Sequence, residues 1–454
     1  MSRIAKLLRF WATLEAPVNR RTYCLHGLSL AGIKYLGDVI FFWLSTGRFW
    51  KPTDYLPLAH SLLWTNLQGV PSWLLPALGV WTLPFLWIGV TLTLRRALDA
   101  GRSPWLALGF FLPFVNYTVM ASFCFLPTAE RGASPKKTTM PRGKRLPNAL
   151  LSAGCGVVLG LLMVLLGIRF AEQYGFTLFL GAPFAMGALT AFIFNRGYAG
   201  TALETIQVTI CMFIVVAGAL FLLAFEGAVC IAMAIPLGLI VGVLGAVLGR
   251  AIALSGRRAI PPVVSAMLLL PLSLAVEPPH LTGRVLHEVR SSVVIGAPPE
   301  RVWSHVIAFK PISEAPDLVF RLGIADPRYA RIDGVGVGAI RYCVFSTGEF
   351  VEPITEWETA RRLSFSVVRS PAPLSELSLY ENVSPPHLRN YLRPRRGEFR
   401  LVALPGGRTR LEGSTWYEIE MAPEGYWQLW TDFLIHEIHD RVLNHIKHEV
   451  EADS

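Results

Sequence analysis

Hydrophobic positions follow two rhythms along this chain. Up to residue 276 they come in long, nearly unbroken runs; beyond Pro279 they alternate with polar residues or recur every three to four. Runs of about twenty apolar residues match the hydrocarbon thickness of a bilayer. They predict membrane segments near 23–45, 72–94, 104–126, 148–168, 177–195, 203–225, 227–254 and 259–276, the last short and proline-rich. Little more than Glu226 and Gly227 separates the sixth from the seventh, which predicts a tight helical hairpin. Small residues in "GAPFAMGALTA" and "GAVLGRAIA" let helices approach closely in lipid.

After Pro279, alternation and β-branching predict strands at 285–295, 329–333, 338–346, 349–358, 362–369, 397–404 and 408–420. Helices are expected at 299–308, near 311–320 and at 423–450. In "VIGAPPERVW" (294–303), Pro298 and Pro299 suit a first helical turn, and Glu300 complements the helix dipole. Gly348 in "STGE" and Gly406–Gly407 in "LPGGRTRL" predict hairpins. Trp427, Trp430, Leu434, Ile438, Val442, Ile446 and Val450 give the last helix one apolar face. The expected architecture is a multi-pass α-helical membrane region followed by an α+β helix-grip domain, with a curved antiparallel sheet around a long C-terminal helix. Its divisions are 1–127, a basic linker 128–147, a second membrane block 148–278, and the domain 281–454.

Charge refines this division. Residues 281–454 hold 20 Lys+Arg and 23 Asp+Glu, a net −3; residues 1–280 hold 22 and 9, a net +13. Basicity therefore belongs to the membrane part, where it orients loops, and a nucleic-acid partner is excluded. Lys and Arg collect on the cytoplasmic face when segment 104–126 is re-entrant and the N-terminus is inside; with eight full crossings they do not. Pro113 and Asn116 make a broken helix there plausible. That reading favours an extracytoplasmic side for 281–454. The 128–147 linker reads as a solvated loop, with anionic headgroup binding as the alternative. The basic N-terminus is interrupted by Lys6 and Arg9 and lacks a small-residue cleavage site, so no removable signal is expected. Six cysteines without a Cys-x-x-Cys pair predict neither a disulfide framework nor a zinc site, and no cofactor is expected.

Two resemblances follow from quoted stretches. "RRALDAGRSPW" (95–105) and "NRRTYCLHG" (19–27) resemble the Arg-Arg-x-His-Asp-x-x-Arg-Ser-x-Trp signature and Arg-rich first span of a bacterial inner-membrane family of unknown function, over about 8–127. Leu98 replaces the usual His. This implies a location in the bacterial plasma membrane and no activity. "VVIGAPPERVWSHV", "GVGVGAIRYCVFSTGEFVEPITEWE" and "RGEFRLVALPGGRTRLEGSTWYEI" resemble the START-like superfamily, also called SRPBCC, which includes polyketide cyclase/dehydrase and lipid-transport domains. That implies a cavity for a hydrophobic molecule. The fold does not choose between carrier, sensor and enzyme.

Candidate residues are weighed against plain structural roles. On one predicted strand face stand Arg341, Cys343 and Phe345. With Glu352 and Glu412, Arg341 forms either a polar set inside the sheet, for ligand anchoring or acid–base work, or ion pairs on its solvent face. The segment 371–396 reads as a lid or as a membrane- or partner-facing flap, with Tyr380, His387 and Tyr391 as contacts. Trp416 and Trp430 complete the ligand-contacting set. "HEIHDRVLNHIKHE" (436–449) reads as a solvated helix face rather than a metal site. Lys34 and Asp38, at i and i+4 in the first span, form either a self-neutralising pair or a transport site. No Gly-x-Ser-x-Gly elbow or P-loop occurs. The reading is a membrane-anchored module taking membrane lipid or another hydrophobic small molecule, as carrier or sensor. A cyclase- or dehydratase-like enzyme and a transporter are the alternatives.

Overall fold

The computed structural model describes residues 2–12, 17–55, 71, 73–111, 115–129, 141–167, 174–255, 273, 285–380, 388 and 391–453. Contacts divide the chain into two compact units. The first comprises 1–160, 180–215 and 238–270; the second comprises 161–179, 216–237 and 271–454.

Among the described residues, six helices are long and apolar enough to cross a membrane: Arg20–Thr46, Ala77–Asp99, Gly143–Gly167, Thr177–Arg196, Ala202–Leu222 and Ala228–Leu254. The chain is membrane-embedded. Among the described residues the α-helices of this part are α1 (Arg3–Ala12), α2 (Arg20–Thr46), α3 (Leu74–Asp99), α4 (Val115–Phe125), α5 (Arg142–Val164), α6 (Ala182–Arg196), α7 (Ala202–Leu222) and α8 (Ala228–Leu254). Segment 104–126 is broken, into a 3-10 turn at Pro104–Phe111 and the eleven-residue α4. At 1.5 Å per residue, α4 is about 16 Å long and too short to span alone. Residues 142–147 of the expected linker form the start of α5, while 130–140 and most of 259–276 lie outside the described residues.

The first unit explains two sequence features. α6 and the later part of α8 touch backbone to backbone. A Cβ on Gly187 would collide with the Gly242 carbonyl, one on Gly245 with that of Phe184, and one on Gly249 with that of Ala188. The "RRALDAGRSPW" stretch is a buried tie. Arg96 donates to Asp99 at 2.5 Å and to the Phe123 carbonyl at 2.9 Å, and Arg95 donates to the Phe10 carbonyl at 2.8 Å.

In the second unit, a seven-stranded antiparallel sheet runs in the order β1-β7-β6-β5-β4-β3-β2. Its strands are β1 (His287–Ile295), β2 (Pro327–Asp333), β3 (Ile340–Phe345), β4 (Gly348–Glu358), β5 (Arg362–Ser366), β6 (Leu392–Leu404) and β7 (Arg408–Ile419). Helices α9 (Pro299–Ile307) and α10 (Leu318–Arg321) follow β1, and the 29-residue α11 (Glu424–Ala452) closes the chain. The fold is the expected α+β helix-grip, with the sheet curled about α11. β5 ends at Ser366, three residues short of the expected end, and two elements differ more. β6 starts five residues earlier than expected, and the helix near 311–320 shrinks to one turn at its end, because Ile312 instead pairs its N–H with the Arg328 carbonyl. Gly406 and Gly407 both have positive φ, as their tight turn requires. Ile295, Val302, Val306, Leu363, Leu411, Leu443 and Ile446 form the core between sheet and helices.

Close packing in the first unit has a direct test. Gly245→Ala should lower the thermal midpoint of the detergent-solubilised chain. Gly218→Ala, where nothing lies within 4 Å of the added methyl, should leave it near the parent value.

Candidate functional site

Between the concave sheet and α11 lies a cavity of about 160 Å³. Strand alternation sets its wall: Arg341, Cys343 and Phe345 from β3, Phe350 and Glu352 from β4, Phe365 from β5 and Phe399 from β6 face inward. From α11 come Thr431, Leu434, Ile435, Ile438, His439 and Val442. Residues 370–373 and Ile324–Ala325 cover one side. This cover is pinned by backbone bonds from Ala325 to the Pro373 carbonyl at 3.0 Å and from Ser375 to that of Gly323 at 2.8 Å.

An ion pair stands in this mostly apolar wall. Arg341 and Glu352 are directly opposite in the β3–β4 ladder, and the guanidinium Nη1 donates to the carboxylate. They are 2% and 5% exposed. The rings of Phe309, Phe365 and Phe399 stand 5.9, 5.3 and 5.5 Å from the guanidinium carbon, within cation–π range. Arg341 Nε has no hydrogen-bond partner among the described residues. Burial pushes the Glu352 carboxyl above its ordinary range, and the adjacent guanidinium opposes that push. Burial also raises the Cys343 thiol to about 12, so Cys343 is a neutral wall residue and not a thiolate.

His439 supplies a second polar group. Its Nε2 lies 2.8 Å from Thr415 Oγ1 and its Nδ1 3.3 Å from Ser291 Oγ, which in turn lies 2.8 Å from His436 Nδ1. Burial, with His436 adding to it, lowers the His439 pKa to about 3, leaving a neutral ring. The expected solvated face of "HEIHDRVLNHIKHE" is therefore corrected. β1 and β7 cover His439, and the 310–314 segment covers His445, whose Nε2 lies 3.1 Å from the Lys310 carbonyl. His439 shares the face of Thr431 and Ile435 at spacings of four, a signal hidden by its flanking charges.

The other sequence candidates are distributed elsewhere. Glu412 points away from the cavity and pairs with Arg410 at 2.8 Å; Trp416 stacks with Arg396. Trp430 packs near Tyr417 and Trp427, and Tyr391 packs on Tyr174. Tyr380 donates its hydroxyl to the Leu222 carbonyl at 2.7 Å, and His387 lies outside the described residues. In the first unit Lys34 and Asp38 pair at 2.5 Å, and the Tyr55 hydroxyl also donates to Asp38. Glu226, Cys230 and Glu376 bring one ligand-type atom each within 4.8 Å of one another. The Glu376 carboxylate lies against Gly227, just before α8, where an added Cβ would collide with it.

Residues 11–136 match the family described as "Protein of unknown function (DUF805)". The resemblance carried by "RRALDAGRSPW" is borne out, over nearly the expected stretch. No curated protein matches the chain. Solved structures similar to it include a protein from Nitrosospira multiformis, with 23% identity over 37% of this chain and 100% of that one, TM-score 0.24. Zhui aromatase/cyclase from Streptomyces sp. R1128 has 12% identity over 37% of this chain and 94% of that one, TM-score 0.24. The fold assignment itself stands on the strand order and the terminal helix.

Two measurements probe the polar groups. Arg341→Met or Glu352→Leu alone strands a buried charge and should cost about 3–5 kcal/mol in denaturant unfolding, whereas the double variant should return most of it. His439 is neutral when folded down to about pH 3, against an ordinary value of 6.5. Its contribution to stability is complete above about pH 6.5 and is lost as pH falls toward 3. Between about pH 6 and 4 the parent should therefore lose roughly 1 kcal/mol per pH unit more than His439→Asn.

Proposed function

We propose that the chain is a membrane-anchored helix-grip module that binds a lipid or other hydrophobic small molecule, as a carrier or sensor. The observation that carries this is the mostly apolar cavity between sheet and α11, with the buried Arg341–Glu352 pair set into its wall. Ligand sites are concave and mostly apolar, with a few polar groups that orient the guest. At about 160 Å³ the cavity is smaller than the roughly 300–1,000 Å³ usual for ligand sites. A small apolar guest fits as it stands, and a larger one requires the 370–375 cover to shift. Tethering to spanning helices raises the local concentration of the domain around a membrane-dissolved ligand. Arg341 with its free Nε is the group suited to hold a guest's carbonyl or hydroxyl oxygen.

A second reading rests on the same pair. A carboxyl raised by burial inside an apolar pocket can donate a proton, so Glu352 suits the acid role in a cyclisation or dehydration. Turnover that disappears in Glu352→Gln while binding persists would favour it.

The proposal includes an orientation: a bacterial inner membrane, the N-terminus cytoplasmic and the C-terminal domain outside. Loop charges support it, and so does the α7–α8 connection, which those charges place outside and which bonds to the domain through Ala228 N–H and the Leu377 carbonyl at 3.0 Å.

Mass spectrometry of organic extracts from the purified full-length chain tests the binding. An apolar molecule should co-purify reproducibly and be lost from Ile438→Trp, which fills the cavity; a reproducibly empty extract overturns the reading. Reporter fusions at residue 290 should be active only outside the cytoplasm.

A further inference from the structure

Five exposed apolar side chains meet at one place in the second unit. Leu222 ends α7 and Leu223 follows it, and Leu377, Leu379 and Tyr380 follow the segment that covers the cavity; their exposures are 57, 59, 42, 69 and 51%. Three contacts join the two stretches. The Tyr380 hydroxyl donates to the Leu222 carbonyl at 2.7 Å, the Ala228 N–H donates to the Leu377 carbonyl at 3.0 Å, and Glu376 lies so close over Gly227 that a Cβ there would collide with it. The patch is thus anchored to the turn between two apolar helices.

That turn has a known depth. α7 has 21 residues, about 31 Å of helix, which equals the roughly 30 Å of a bilayer's hydrocarbon core. Its last residues therefore stand where acyl chains give way to headgroups. Tyrosine, with an apolar ring and a polar tip, is enriched at that depth, and Tyr380 is bonded to the final turn of α7.

We propose that residues 374–380 form a strap docked on the lipid bilayer, with Leu377 and Leu379 immersed at the acyl–headgroup boundary and Tyr380 at headgroup level. Water is the wrong surroundings for Leu379, and no protein group covers it among the described residues; the membrane reached by its neighbour Leu222 does. The same strap leads back to residues 370–373 of the cavity wall. From Pro373 to Leu377 is at most about 14 Å of chain. Resting on the ligand-binding reading, this makes the bilayer the compartment that loads the cavity, because moving the strap opens the wall next to lipid.

Photocrosslinking of the full chain in phosphatidylethanolamine–phosphatidylglycerol vesicles tests the docking. Leu379→benzoylphenylalanine should give lipid adducts about tenfold above Thr359→benzoylphenylalanine, an exposed position in the β4–β5 turn. Tyr380→benzoylphenylalanine, which keeps an aromatic ring, should repeat the result. Adduct yields at 379 and 380 no higher than at 359 would overturn the proposal, whatever the cavity extracts contain. Lipid adducts together with empty extracts would leave the docking standing and remove the ligand reading alone.

Discussion

Paired strands twist, and a twisted sheet seven strands wide can cover a long helix only by curling round it. Here the curl is helped by irregular pairing between Pro327 and Tyr329 in β2, between Ile354 and Glu356 in β4, and between Pro394 and Arg396 in β6. A bulge bends its strand and raises the local twist. α11 meets the sheet most closely along β1 and at its C-terminal half, where Leu443, Ile446 and Val450 are buried. Farther along, the bend of β4–β6 carries the sheet away from the helix, and the space between is the cavity. Fold and hollow are thus one consequence of the same geometry.

The hollow made this way is mostly apolar, and Arg341 and Glu352 are the charged pair buried in its wall. Charges taken out of water lose hydration worth several kcal/mol each, and mutual attraction returns that only with good geometry. The ladder supplies the geometry by placing the two directly opposite on neighbouring strands. Three phenylalanine rings then shield the guanidinium without satisfying its Nε. A purely structural pair has no need to border a cavity, and two apolar residues of similar volume would suit the core as well. This pair lies at the cavity wall, and its Arg341 Nε has no hydrogen-bond partner among the described residues.

Much of this was legible in the sequence, because side-chain alternation is set by backbone geometry. Gly348 and Gly406–Gly407 marked the hairpins, and the three-and-four spacing from Trp427 to Val450 marked α11. Alternation also grouped Arg341 with Cys343 and Phe345, but period two does not say which face looks inward; only pairing with β4 and closure by α11 decide it. Glu412 fell on the other face for that reason. His439 was missed because it sits among charges, and its burial comes from β1 and β7, 148 and 24 residues away in sequence. In the membrane part, "RRALDAGRSPW" was visible as a motif, yet its role as a tie between helix ends depends on the Phe123 and Phe10 carbonyls, which no local pattern announces.

The α7–α8 turn brings these parts to bear on one another within the second unit. Burial there raises the Glu226 carboxyl to about 8, with Glu376 adding to the shift. Two carboxyl groups in such surroundings do not both ionise readily. The strap is fastened by the Tyr380–Leu222, Ala228–Leu377 and Ser375–Gly323 bonds and by buried Leu374. The sheet core beside it is held by many fully buried aliphatic groups. Segments with few buried contacts open first. Among residues 370–380 only Leu374 is buried, so this cover, which ends against the last turn of α7, is the part of the domain best able to open without unfolding it.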